Sequence, residues 1–178
     1  MLMKKALKGD LPLMAAAKAL QDEIMSPSMS MPDDGEGVLG AETRACTTFK
    51  KVVLMIAGTA MQRYGMKIES EQEVLSYLAD ILIDTYAAES AVLRAQDVSA
   101  RKAGNAELHQ QAASITVNEA AGRIELAARS ALAAMAEGDT LRTQLAALRR
   151  LMKITPVNTV AMRRQLADAA VSARGYIF

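Results

Sequence analysis

The chain has 178 residues, with 21 Lys+Arg against 20 Asp+Glu, one His, one Cys and no Trp, for a formal net charge of +1. That length fits one domain with an appendage, the charge excludes the basic excess of a nucleic-acid binder, and one cysteine excludes an internal disulfide framework. At 51% apolar and 3% aromatic residues, the core must be built from Ala, Leu, Ile, Val and twelve Met, and Ala, Leu and Met favour helices.

The basic start, Met1 to Asp10, lacks the apolar stretch of a signal peptide. The longest apolar run, Val52 to Met61, is about half of the roughly 20 residues needed to cross a bilayer. A cytoplasmic protein without membrane association is expected.

Residues 10–25 read as a first helix, with Asp10 as N-cap and Pro12 in the first turn, where a missing N–H goes unused. Residues 26–40 hold two Pro, three Gly and three acids without a base, and read as a linker. A second helix over 41–64 carries one stripe, Phe49, Val52, Val53, Ile56, Ala60 and Met61, and stops at Gly65. Gly58 inside it costs about 1 kcal/mol relative to Ala, which predicts close approach of another helix.

Ser70-Glu-Gln-Glu73 has the S-x-x-E form of a capping box and opens a helix expected to reach Lys102. Its predicted buried stripe is Val74, Leu78, Ile81, Leu82, Thr85, Ala88 and Val92. After a break at Gly104-Asn105, a helix over 106–136 carries Leu108, Ile115, Ile124, Ala128, Ala131 and Met135. Two shorter helices follow, over 139–153 and 159–174, separated by Thr155-Pro-Val-Asn158. No run alternates like a strand. Short loops between long helices predict an all-α fold, an antiparallel up-down bundle over 41–178 with a short N-terminal helical segment over 1–25.

The inventory is poor in chemistry. A di-metal carboxylate bundle needs two Glu-x-x-His pairs, and here the residue three before the single His109 is Ala106. A zinc site fails on the same count, and no P-loop or dinucleotide fingerprint occurs. His109 is expected as a surface or partly packed histidine without a chemical role, and Cys46 as a small packed residue. No catalytic, cofactor-binding or metal-ligating residue is assigned.

Charge is where the sequence is organised. Glu69, Glu71, Glu73, Asp80, Asp84 and Glu89 occur with no base between Glu69 and Val92. Arg142, Arg149, Arg150, Lys153, Arg163 and Arg164 occur with no acid between Thr140 and Ala167. The basic stretch suits either an anionic partner, such as a phospholipid headgroup or an acidic protein face, or the acidic helix of the same bundle. Glu89, beside the apolar stripe, would need a basic partner if buried.

The runs FKKVVLMIAGTAMQRYGMKI (49–68), SEQEVLSYLADILIDTYAAESAVLRA (70–95) and TPVNTVAMRRQLADAAVSARGYIF (155–178) resemble the extra C-terminal helical domain of the longer acyl-CoA dehydrogenases. The very-long-chain enzyme and its bacterial relatives are the nearest type. Residues 1–14 are similar to the end of the helical bundle that precedes this domain. The resemblance implies an accessory and assembly domain of an FAD-dependent enzyme of fatty-acid oxidation. The glutamate base and the flavin-binding segments would then lie in domains outside this chain, leaving it inactive alone. It further implies packing against those domains and a homodimer. The basic stretch offers Arg149, Arg150, Lys153, Arg163 and Arg164 as candidate partner contacts, and the apolar tail offers Tyr176 and Phe178. Membrane attachment in the very-long-chain enzyme involves the segment joining the two helical domains. The matching 26–40 is acidic, where a basic amphipathic helix would be expected. The alternative from another class is a stand-alone helical interaction protein coating a lipid or polymer surface. Weak self-association through uncovered faces is expected.

Overall fold

The computed structural model describes residues 13–25 and 37–178. These form six α-helices and one 3₁₀ turn: α1 (Leu13–Met25), α2 (Gly40–Tyr64), the 3₁₀ turn (Gly65–Ser70), α3 (Gln72–Ala100), α4 (Ala106–Met135), α5 (Gly138–Leu151) and α6 (Thr159–Ala173). No strand occurs among the described residues. The fold is the predicted all-α bundle. The expected Asp10 cap, Pro12 and most of the 26–40 linker lie outside the described residues.

Helices α2, α3 and α4 form the long up-down-up core, and α3 and α4 make the most extensive pairing. Phe49, Val52 and Ile56 of α2, Ile81 of α3 and Ile124 and Leu132 of α4 have no solvent exposure. Ala88, Ala120, Ala128 and Ala131 are equally buried. So many alanines inside let long helices approach closely while still packing densely. Leu148 and Leu151 of α5 close the same core.

Where α1 crosses α2, Gly58 is buried, and a Cβ placed on it would lie 2.7 Å from the Cβ of Ala17. The close approach predicted from the glycine is therefore made by α1. Leu20 is buried beside it, and Lys51 of α2 pairs with Glu23 of α1 at 2.5 Å.

The expected capping box does not form. Ser70 ends the 3₁₀ turn, the N-cap of α3 is Glu71, and no side chain caps it. The tighter turn carries Ile68 into the core at 1% exposure, which moves the helix start past Ser70. At the other end α3 stops at Ala100, because Lys102 adopts a left-handed φ of 53° and its N–H bonds the Ser99 carbonyl at 3.0 Å. Glycine more often supplies that conformation, and here it ends the helix short of the expected Lys102.

Leu82 is a second correction. It is 48% exposed, whereas the buried positions of α3 are Val74, Leu78, Ile81, Thr85, Ala88, Val92 and Ala95. Leu82 sits on the rim of that stripe, half exposed. The buried Thr85 hydroxyl meets its hydrogen-bonding requirement locally, donating to the Ile81 carbonyl at 2.7 Å.

The return path beside α4 is divided between two helices. Helix α5 packs on α4 and α2, and the chain breaks at Thr155-Pro156 before α6 runs along α4 alone. The Val157 N–H donates to Asn118 Oδ1 at 3.0 Å, and Asn105 Nδ2 donates to the Ile177 carbonyl at 3.1 Å. These contacts fix α6 antiparallel to the first half of α4. No residue of α6 is buried. It is an external layer, started by Asn158, whose Oδ1 accepts from the Ala161 N–H at 3.1 Å.

Candidate functional site

His109 and Cys46, the two side chains best suited to proton or nucleophile chemistry, are both held by packing. Cys46 is 3% exposed, and burial, reinforced by the Glu89 carboxylate, pushes its thiol up to about 11. Such a group is not a thiolate at neutral pH. His109 is buried at 6% exposure, more fully packed than the surface or partly packed position expected. Burial first, and the Arg94 charge second, hold its pKa below the ordinary 6.5.

The role of His109 is structural and involves the end of the chain. The Phe178 ring meets its imidazole edge-on, with centroids 5.0 Å apart at 62°. Asn105 Nδ2 lies 3.4 Å from His109 Nε2 while donating to the Ile177 carbonyl. An amide nitrogen only donates, so Nε2 accepts and Nδ1 carries the proton in the neutral ring. No group of three or more His, Cys, Asp or Glu that could hold a metal occurs among the described residues.

The seven side chains expected at a partner contact fall in three places. Arg149 and Arg150 are exposed in the last turn of α5, where they complement the helix dipole, and exposed Lys153 follows just beyond. Arg163 and Arg164 lie on α6, and Arg163 pairs with Glu119 of α4. Tyr176 is 84% exposed and stacks edge-on with Phe178 at 5.8 Å. The length of α6, about 22 Å for its 15 residues, separates the aromatic tail from the α5 bases.

The cross-helix ion pairs of α3 are Lys50–Glu89, from α2, and Arg123–Asp84, from α4. Glu89 therefore has the basic partner that its position beside the apolar stripe demands. The Arg123–Asp84 pair is bidentate: Nε reaches both carboxylate oxygens at 3.1 and 3.0 Å, and Nη2 reaches Oδ1 at 2.7 Å. These hydrogen bonds raise the Arg123 pKa further above its ordinary value.

Two surface features escaped the sequence. A cleft of about 110 Å³ lies between α1, α2 and α5, lined by Ala17, Leu20, Met55, Gly58 and Gln144. The buried Gln144 Oε1 at its wall accepts no hydrogen bond. The other is the outer side of α3, where Leu82, Ile83, Tyr86 and Leu93 are 48, 64, 76 and 58% exposed. With Leu126 of α4, 69% exposed, Ile83 lines a shallow groove of about 510 Å³. The available signal was that α3 carries apolar residues on more than one face.

These features make surfaces for packing, and comparison with known proteins identifies the family. The family described as "Acyl-CoA dehydrogenase, C-terminal domain" matches residues 48–150. The chain belongs to that family. It is 44% identical over 179 residues to a probable acyl-CoA dehydrogenase of Bacillus subtilis (strain 168), covering 98% of this chain and 29% of that protein. It also matches the crystal structure of an acyl-CoA dehydrogenase complexed with FAD from Bacillus anthracis. That match has a TM-score of 0.92 and 35% identity over 99% of this chain and 30% of the other. The chain thus spans about three-tenths of the length of these acyl-CoA dehydrogenases. No helix among the described residues is long and apolar enough to cross a membrane.

Proposed function

We propose that this acyl-CoA dehydrogenase C-terminal domain is an accessory and assembly domain of an FAD-dependent enzyme of fatty-acid β-oxidation, and that it is inactive alone. The carrying observation is that nearly the whole chain matches proteins more than three times its length, one of them holding FAD. Abstraction of a substrate proton and hydride transfer to flavin are assigned to the remaining domains. The packing roles of His109 and Cys46 support that division of labour. The proposed partners are those remaining domains and a second subunit in a cytoplasmic homodimer, with FAD bound outside this chain. The unit boundaries proposed are 1–25, 26–40 and 41–178.

The test is direct. The purified chain is mixed with FAD, with an acyl-CoA and an electron-accepting dye, and with liposomes. No flavin retention, no dye reduction and no co-sedimentation are expected. Dye reduction by the chain alone would overturn the accessory reading, and firm liposome binding would favour a surface-coating protein. Reading the coding sequence upstream of Met1 adds an independent check: flavin-binding domains in the same frame are expected.

A further inference from the structure

The neighbours of α3 differ from those of the other long helices. Helix α2 carries α1 and α5 on its outside, and α4 carries α5 and α6. The main contacts of α3 are with α2, α4 and the 3₁₀ turn, all on its inner side. Yet α3 carries four exposed large apolar side chains, Leu82, Ile83, Tyr86 and Leu93, and Ile83 shares a groove with exposed Leu126 of α4. Scattered apolar residues are ordinary on a surface, but a contiguous patch marks an interaction site.

Two of the acids around this patch are already paired within the chain. Arg123 satisfies Asp84 with three hydrogen bonds, and Lys50 satisfies Glu89. Covering the face would therefore desolvate those two acids as ion pairs, which costs less than burying an isolated charge. Asp80, exposed on the groove wall, is the acid left for a partner to meet. A lipid surface fits poorly, because α3 has no base between Glu69 and Val92 to meet headgroups.

We infer that the outer face of α3, centred on Ile83, Tyr86 and Leu126, is where this domain docks onto the catalytic portion of its own polypeptide. This rests on the accessory-domain reading and assigns it a surface. The occupant follows from length: about seven-tenths of each matched dehydrogenase lies outside the region this chain covers, and among the described helices of the long core α3 is the one with no helix packed on its outer side. The partner surface is apolar at its centre, with a Lys, Arg or hydroxyl donor opposite Asp80. The basic stretch of α5 and α6 then stays at the periphery.

The experiment compares hydroxyl-radical labelling of this 178-residue chain with the same residues in the whole polypeptide expressed from its complete reading frame. Labelling of Tyr86 is expected to fall by about fivefold or more in the whole protein, as for a ring entering an interface core, with Leu126 following. Val160 and Val171 on α6 serve as exposed references and keep their labelling. Ile83→Asp with Leu126→Asp should leave the melting temperature of the short chain unchanged and lower that of the whole protein. Unchanged Tyr86 labelling overturns the inference. Protection that already develops in the short chain with rising concentration also overturns it, because the occupant is then a second copy. Flavin content and acyl-CoA-dependent dye reduction of the whole protein test the parent assignment separately. An active flavoprotein with Tyr86 fully labelled sinks this docking face and leaves that assignment standing.

Discussion

Gly58 and Ala17 meet across the α1–α2 crossing so closely that a methyl group on position 58 would lie 2.7 Å from the Ala17 Cβ. Both atoms in that encounter are fixed to backbone, so neither can rotate away. Gly58→Ala should therefore push α1 off α2 and destabilise the docked state by about 1–3 kcal/mol, despite the better helix propensity of Ala. Gly122→Ala is the control, since nothing lies within 4 Å of a Cβ there, and it should stabilise α4 by up to about 1 kcal/mol. Urea titrations of both variants, with hydrogen exchange over 13–25, check the pair of outcomes. Equal gains in both would show that α1 does not need the glycine.

Arg123 supports α3 through Asp84, whose side chain is only 16% exposed. Arg123→Ala leaves that carboxylate without its charged partner and should cost about 1–3 kcal/mol. Adding Asp84→Ala should return part of the loss, because the stranded charge goes with it. A double-mutant cycle by chemical denaturation measures the coupling, and additive losses would show the pair to be independent.

The pH response of His109 has a definite sign. Its folded-state pKa lies below 6.5, so the unfolded chain takes up the proton first. Its contribution is fully present above the ordinary pKa and is lost as pH falls from there to the depressed folded value. Protonation would also set two donors, Nε2–H and Asn105 Nδ2, against each other. Unfolding free energies measured between pH 7.5 and 5 should decline more steeply in the native sequence than in His109→Gln. Parallel curves would remove His109 from the account.

Cys46 should report global opening. Burial and a thiol pushed up from 9.0 to about 11 leave roughly a hundredfold less thiolate than an ordinary cysteine. Native protein should resist a disulfide reagent at pH 8 and react fully in urea. Rapid native labelling would show that α2 opens locally.

Helix α6 should unfold separately from the core. It buries no residue, so Asn158→Ala, which removes its N-cap, should cost about 1 kcal/mol locally and leave the main thermal transition in place. Hydrogen exchange confined to 159–173 is the expected signature. A matching drop for α2–α4 would instead make α6 part of the core.

Much of the architecture was legible because helices announce themselves locally. The 3.6-residue spacing located the Phe49–Val52–Ile56 stripe, and Gly65 and the Thr155–Asn158 break marked where helices stop. Ser70 misled because a capping box is a local pattern, and here burial of Ile68 tightened the turn beyond it. Lys102 misled because nothing in its local sequence signals the left-handed φ of 53° that ends the helix at Ala100. Leu82 misled because periodicity locates an apolar residue on a helix without saying whether another helix covers it. The seven expected contacts were chosen by charge and position in the chain. Phe178 proved to lie on His109 of its own chain, and Arg163 on Glu119.

The sequence by itself determined an all-α chain of near-zero net charge with little equipment for catalysis, and its segments carried the family resemblance. Composition and short-range spacing suffice for that. Tertiary structure decided that α1 locks into Gly58, that Lys50 and Arg123 pair with Glu89 and Asp84 of the acidic helix, that the tail closes on His109, and that Ile83 and Tyr86 on the outer side of α3 are left exposed. Each joins elements dozens of residues apart, and such pairings are set by packing of the whole bundle, which local periodicity does not encode.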